Sequence, residues 1–274
     1  MKKERLRRVC IFCDGNNLSK EHLWPRWLTK KYPDDRPNLG HQLQKMRLLR
    51  DSVDVANVEA GMMDRRGPPA TQKIRRVCAS CNNGWMSNLQ RAAKPILVPL
   101  IEGNWHLLAE ASCEILAAWV AMTTAVLEFA DETTIAVTAE DRRYLRRETR
   151  LPPRWAVWVG RYEGQKHHHS FWHRALGLPT TSALPDNYNG QLTVIIVGKL
   201  LILAASVSDN ALNSLLYMAG HNNLRLVEYC TPRYGGGIER MHDASQPAPP
   251  AFNEEMADQI IDSFSEMLFQ LHYS

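Results

Sequence analysis

The sequence lacks a continuous run of eighteen apolar residues, the length that a membrane-spanning helix needs. Its richest apolar stretch, residues 192–207, is interrupted by Gly198 and Lys199, and therefore predicts two buried strands. The basic N-terminal segment MKKERLRRVC contains no apolar stretch of the kind found in secretory signals. We therefore expect a cytoplasmic protein without a membrane partner.

Cysteine is also scarce, with six residues among 274, but four of the six are paired in the sequence. They form two Cys-x-x-Cys motifs, VCIFC and VCASC, and a reducing compartment favours metal binding over disulfides for such motifs. Each tight turn can present two thiolates to one ion, so the motifs predict a closed tetrahedral zinc site. Its predicted ligands are Cys10, Cys13, Cys78 and Cys81. Cys113, within an apolar helical pattern, is expected in the core.

The composition is typical of a soluble globular protein, with 45% hydrophobic and 23% charged residues. We expect two domains, at 1–100 and 101–274, and an insertion rich in proline and glycine at about 33–72. Helices are predicted at 42–50 and after Cys81, the latter ending near Pro95. The second region is predicted to be α+β with mainly antiparallel strands. Its predicted elements are helices at 107–129, 141–150 and 252–272, a strand at 155–162 paired with 171–178, and a hairpin at 192–197 and 200–206.

Charge is distributed unevenly between these regions. Residues 1–100 contain 20 Lys and Arg against 9 Asp and Glu, a balance of +11, whereas residues 101–274 have a balance of −7. Lysine and arginine neutralise phosphate backbones, so the basic region is the candidate nucleic-acid face. A solvated basic surface without a partner fits the same count. The candidate phosphate contacts are Arg26, Lys30, Lys31, Arg75 and Arg76.

The segment SKEHLWPRW, with Glu21 and His22, lies between the cysteine pairs, and Asn82 directly follows the last cysteine. The motifs CIFC, KEHLWPRW and CASCNNGWMS together resemble the HNH family, the zinc-knuckle branch of the ββα-metal (His-Me finger) endonucleases. The resemblance covers the edges of a module within residues 1–100 and does not extend to the rest of the chain. It implies an N-terminal zinc-stabilised ββα-metal fold.

The resemblance also implies an activity and a role for each matching residue. Glu21, where the family usually has Asp, and Asn82 would hold a catalytic Mg²⁺ or Mn²⁺, and His22 would be the general base. The expected reaction is phosphodiester hydrolysis, with DNA as substrate, in a bacterial or phage defence or mobile-element setting. Asn83 is an alternative ligand to Asn82. Asn38 and Asn57 both remain candidates for the family's middle asparagine.

Other interpretations of the same residues stay open. Asn82 could simply cap the helix that begins there. The whole module could be a non-catalytic zinc-binding unit for nucleic acid or for another protein. The acidic second region could sense a ligand or a regulatory partner and restrain a nuclease, and a homodimer would allow cleavage of both strands. The histidines at 167–169, together with His173, could bind a metal or form a polar loop.

Overall fold

The computed structural model describes residues 8–33, 41–49, 52–57, 72–105, 108–167, 169–178, 188–208, 227–228 and 251–273. The strands are β1 (Leu18–His22), β2 (His41–Leu49), β3 (Ser52–Asn57), β4 (Lys73–Cys78), β5 (Trp155–Tyr162), β6 (His169–Gly177), β7 (Gly190–Val197), β8 (Leu200–Val207), β9 (Val227–Glu228) and β10 (Ala251–Phe252). The helices are α1 (Arg26–Lys31), α2 (Ala79–Cys81), α3 (Ser87–Ile101), α4 (Glu110–Leu127), α5 (Ala139–Glu148) and α6 (Glu254–Tyr273). The mixed α+β class expected from the sequence is confirmed.

The main sheet has eight strands, in the order β10-β5-β8-β7-β6-β2-β3, with β9 also paired to β5. The pairs β5–β8, β8–β7, β7–β6 and β2–β3 are antiparallel, whereas β2–β6 and β10–β5 are parallel. The predicted hairpin forms as β7 and β8, and Gly198 in its turn has a φ of +53°. A Cβ on Gly198 would lie 2.8 Å from the Ile101 carbonyl oxygen, so the turn needs glycine to approach the end of α3.

Both faces of this sheet are covered, which explains why its central strands are apolar throughout. Val157 and Ile195 on one face belong to a core that also contains α3 and α4. Trp158 and Val194 on the other face belong to a second core with α6, where the Trp158 ring lies 5.4 Å from that of Phe264. The sheet therefore forms the middle of three layers.

A separate two-stranded antiparallel sheet, β1 with β4, precedes the helical segment α2–α3. Trp24, which follows β1, is fully buried, and its ring centroid lies 5.4 Å from that of His169 and 6.2 Å from that of Phe171 in β6. The core that contains Cys10 and Trp24 continues into α4 and the main sheet. The unit formed by β1, β4 and α2–α3 is thus packed onto the rest of the chain.

Three local predictions were wrong. The segment predicted as a helix at 42–50 is strand β2, paired in parallel with β6. Strand β5 pairs with β8 rather than with β6, because the β7–β8 hairpin lies between them. Helix α3 continues past Pro95 to Ile101, with Pro99 also inside it.

The three helices predicted in the second region are present as α4, α5 and α6, with small changes in their ends. Helix α5 is capped as predicted, since Thr138 accepts a hydrogen bond from the Asp141 N–H. Helix α4 belongs to a segment, Glu110–Ala130, that is long and apolar enough to cross a membrane. Because 89% of its most apolar window is buried inside the protein, it resembles a core helix. Cys113 is buried in α4, as expected.

Candidate metal centre and adjoining polar site

Four cysteine sulfurs converge at the end of the β1–β4 unit. The Sγ atoms of Cys10, Cys13, Cys78 and Cys81 all lie within 4.8 Å of one another, and those of Cys13 and Cys78 are 3.4 Å apart. Tetrahedral zinc with Zn–S bonds of about 2.3 Å separates its sulfurs by about 3.8 Å. The four residues therefore fit a zinc ion, and the predicted ligand set is the one that the fold brings together.

Backbone hydrogen bonds shape the two turns and join them. In the first turn the Cys10 N–H donates to the Gly15 carbonyl and the Asp14 N–H donates to the Cys10 carbonyl, both at 2.9 Å. The Ile11 N–H donates to the Arg76 carbonyl at 2.9 Å, which ties this turn to β4 just before Cys78. In the second turn the Cys81 N–H lies 3.5 Å from Cys78 Sγ. These bonds hold the two sulfur pairs face to face.

The electrostatics of the cluster favour a bound cation. Burial acts to raise the pKa of Cys78, but hydrogen bonds from the Ser80 hydroxyl and the Cys81 N–H outweigh it and lower the pKa to about 6. Burial raises the pKa of Cys10 and Cys81. A zinc ion would compensate the negative charge of four thiolates, three of which are buried, and its binding free energy would then contribute to folding.

Glu21 and Asn82 come from distant parts of the sequence and meet beside this cluster. Glu21 lies in β1, and Asn82 lies at the end of α2, directly after Cys81. Burial raises the pKa of Glu21 to about 7, and the nearby polar side chain of Asn82 opposes that rise. Asn83 is exposed, so Asn82 is the asparagine that the fold directs toward Glu21. A carboxylate and a carboxamide supply the oxygen ligands that Mg²⁺ and Mn²⁺ prefer.

His22 follows Glu21 at the end of β1 and is half-buried. It is paired with Lys73 in the β1–β4 ladder, so the two side chains lie on the same face. Burial lowers the pKa of His22, and the positive charges of Lys73 and Arg26 lower it further. The imidazole is therefore neutral at neutral pH, as a proton acceptor must be. Lys73 was not predicted from the sequence, because only the strand register places it there.

The five basic residues predicted to contact phosphate fall into two groups. Arg26, Lys30 and Arg75 are exposed. Lys31 forms an ion pair with Glu102 at 3.0 Å. Arg76 pairs with Glu132 and stacks over the ring of Phe129, 5.6 Å from its centroid. The first group is available to a ligand, whereas Lys31 and Arg76 already have partners within the chain.

The other candidates are only partly described. Asn38 lies outside the described residues, and only the backbone of Asn57 is described, at the end of β3. His167 hydrogen-bonds to Asp258 at 2.9 Å, His173 contacts Thr193 and Thr134, and His168 is outside the described residues. Within the described ranges, the four cysteines are the one group of three or more His, Cys, Asp or Glu residues placed to hold a metal.

Comparison with models of protein families, with curated proteins and with solved structures finds no match to this chain. The residues of the site are therefore the basis for what can be inferred about function.

Proposed function

We propose that this protein is a metal-dependent endonuclease of the HNH type that hydrolyses phosphodiester bonds, with DNA as its expected substrate. The observation that supports this most directly is the proximity of Asn82 to Glu21 beside the four-cysteine cluster, where the Asn82 side chain is close enough to oppose the rise in the pKa of Glu21. The two predicted ligands of a catalytic cation are thus neighbours in space. His22 directly follows Glu21 on the same strand.

Each residue has a role that suits its chemistry. Glu21 and Asn82 would hold a Mg²⁺ or Mn²⁺ ion, which when bound would offset negative charge on the scissile phosphate. Neutral His22 accepts a proton from water as the water oxygen bonds to phosphorus. The bond from phosphorus to the 3′-oxygen breaks, the 3′-oxygen takes a proton from solvent water, and the products are a 5′-phosphate and a 3′-hydroxyl. The four cysteines, with zinc, fix the start of α2 and with it the position of Asn82.

The charges near His22 suit a phosphate ligand. Arg26 and Lys73 are close enough to lower the pKa of His22, and a phosphate at this position would meet the same two positive charges. Exposed Lys30 and Arg75 extend the basic surface on α1 and β4. Binding through such contacts should weaken steeply as the salt concentration rises.

The test is a plasmid-nicking assay on the zinc-loaded full chain with Mg²⁺ or Mn²⁺, and with EDTA as the metal-free control. His22→Ala should lower the nicking rate about 100-fold or more, because a general base contributes that much. Glu21→Gln should weaken the response to added cation. The matched control is Glu140→Gln, an exposed acid on α5. Zinc content should stay at the parent level in every variant.

Parental nicking by His22→Ala, at equal zinc content, would refute the nuclease assignment. A second candidate is a zinc-stabilised, non-catalytic module that binds nucleic acid or protein. It is favoured by the small number of ligands at the proposed Mg²⁺ or Mn²⁺ site, to which we assign only two side chains, Glu21 and Asn82. Salt-sensitive DNA binding without metal-dependent cutting would support this second candidate.

A further inference from the structure

Ser19 makes two hydrogen bonds at the centre of the candidate site. Its hydroxyl donates to the Val77 carbonyl oxygen at 3.1 Å, and Asn82 Nδ2 donates to Ser19 Oγ at 3.2 Å. Ser19 and Val77 are paired residues of β1 and β4, so the strand register itself sets the position of the hydroxyl. Ser19 was not predicted as a site residue from the sequence.

These two bonds determine how the Asn82 amide is oriented. A carbonyl oxygen can only accept, so the single hydroxyl proton of Ser19 is committed to Val77. Ser19 Oγ can then only accept from Asn82, which must present its NH₂ group rather than its oxygen. The Asn82 oxygen Oδ1 is thereby left for another ligand.

We propose that Ser19 is a positioning residue, which turns the Asn82 amide so that Oδ1 faces a divalent cation held together with Glu21. This inference rests on the proposed function, since it specifies how the catalytic cation is held. Without the hydroxyl the amide could rotate and point its NH₂ group at the cation, which would repel it. Partners that orient metal ligands in this way typically change metal affinity about 10- to 100-fold when they are removed.

The experiment compares Ser19→Val with Ser19→Thr, because the two side chains have the same shape and only threonine retains a hydroxyl. Mn²⁺ binding is measured on the zinc-loaded full chain, without nucleic acid, from the electron paramagnetic resonance signal of free Mn²⁺. We expect Ser19→Val to raise the Kd for Mn²⁺ about 10-fold or more, and Ser19→Thr to leave it close to the parent value. Thr29→Val is the matched control, since its hydroxyl also donates to a backbone carbonyl, that of Arg26 at 3.3 Å.

The kinetic response separates positioning from general damage to the fold. In Ser19→Val the Mn²⁺ concentration for half-maximal nicking should rise by the same factor as the Kd, while the rate at saturating Mn²⁺ returns toward that of the parent. Parental Mn²⁺ affinity in Ser19→Val at full zinc content would overturn the role of Ser19. Loss of zinc from both Ser19→Val and Ser19→Ala would also overturn it, because Ser19 would then act through the fold.

Failure of the proposed function would give a different result. In that case Asn82→Ala would bind Mn²⁺ as tightly as the parent and nick DNA at the parental rate, whatever the behaviour of the Ser19 variants. If Asn82→Ala loses Mn²⁺ binding while Ser19→Val keeps it, the positioning role alone is refuted.

Discussion

His173, in strand β6, should make the protein less stable as the pH falls below 6.5. The residue is 1% exposed, with Nε2 2.9 Å from the Thr134 carbonyl oxygen and Nδ1 2.7 Å from Thr193 Oγ1. Because a carbonyl can only accept, Nε2 must be protonated. The Gln191 carboxamide lies 2.6 Å from Thr193 Oγ1, and its Nε2 has no other partner. With the Gln191 NH₂ group turned to donate to Thr193 Oγ1, the Thr193 hydroxyl proton goes to Nδ1, and the neutral imidazole satisfies both contacts. A second proton on Nδ1 would place a charge in the core.

Burial lowers the pKa of His173 from 6.5 to about 4. Between these values the unfolded chain binds a proton that the folded protein does not, so the free energy of unfolding decreases as the pH falls. With these two pKa values the loss is about 2 kcal/mol at pH 5 and about 3 kcal/mol at pH 4. Above the pKa of His173 in the unfolded chain, this loss of unfolding free energy disappears. Below the pKa of His173 in the folded protein, the loss stops increasing.

The assay is urea unfolding of the zinc-loaded parent and of His173→Gln across this pH range. Other groups, including the cysteines, titrate in both proteins, so the difference between their unfolding free energies isolates His173. That difference should shrink by about 2 kcal/mol between pH 7 and pH 5. Thr193→Val is the matched control, because it removes a partner of the ring but keeps the histidine and hence the pH dependence. A constant difference between parent and His173→Gln would refute the reasoning.

Two further predictions concern the zinc cluster and the buried ion pair between Glu128 and Arg142. Cys10→Ser should abolish stoichiometric zinc binding, measured by metal analysis, and lower the melting temperature, whereas Cys113→Ser, at a buried cysteine outside the cluster, should keep one zinc per chain. Well above pH 7, Glu128→Gln should lower the free energy of unfolding, measured with urea, by about 3–5 kcal/mol. The substitution leaves the buried Arg142 without the carboxylate that lies 3.1 Å away. The control, Glu148→Gln, removes the carboxylate of an exposed ion pair with Arg147 and should change the free energy of unfolding much less. Equal changes for both variants would contradict the prediction.

The sequence was sufficient to predict the four-cysteine cluster and the elements with strong local signals. Two Cys-x-x-Cys turns in one module indicate four ligands of one shared metal ion, and the structure brings their sulfurs together. The helix cap at Thr138 and the β7–β8 turn at Gly198 are also local features, and both are present. Ser19 and Lys73 were missed because their positions follow from the β1–β4 register, which depends on residues far apart in the sequence.

Strand β2 was mistaken for a helix because of where its apolar residues point. Leu43 and Met46 are three positions apart, which suggests one face of a helix. In the structure Leu43 belongs to the core shared with α3 and α4, and Met46 belongs to the core formed with α6. A strand that is covered on both faces need not alternate apolar and polar residues. The parallel partner, β6, could not be identified from the local pattern.

Helix α3 continues past Pro95 because each of its prolines lies where water can hydrogen-bond to the backbone carbonyl that the proline leaves unpaired. A proline removes one N–H and leaves the carbonyl four residues earlier without its helical partner. Pro95 and Pro99 are four positions apart and therefore lie on the same side of the helix, where Pro95 is exposed and Pro99 is half-buried. Water can reach the freed carbonyls on that side. The opposite side, with Leu97 and Leu100, is buried and stabilises the helix.

The contacts between the cysteine unit and the rest of the chain bear on how the second region could influence the candidate site. Trp24, two residues after His22, packs on His169 and Phe171 of β6, and Arg142 Nε donates to the Ile11 carbonyl in the first cysteine turn at 3.2 Å. Removing residues 101–274 would expose this core, so a truncated chain is a poor test of regulation. Trp24 connects strand β6 of the main sheet to the end of β1, and Arg142 connects α5 to the first cysteine turn, so these are two routes by which a ligand or partner can act on the site. Regulation by the acidic region is therefore best tested in the full chain, through substitutions at these contacts.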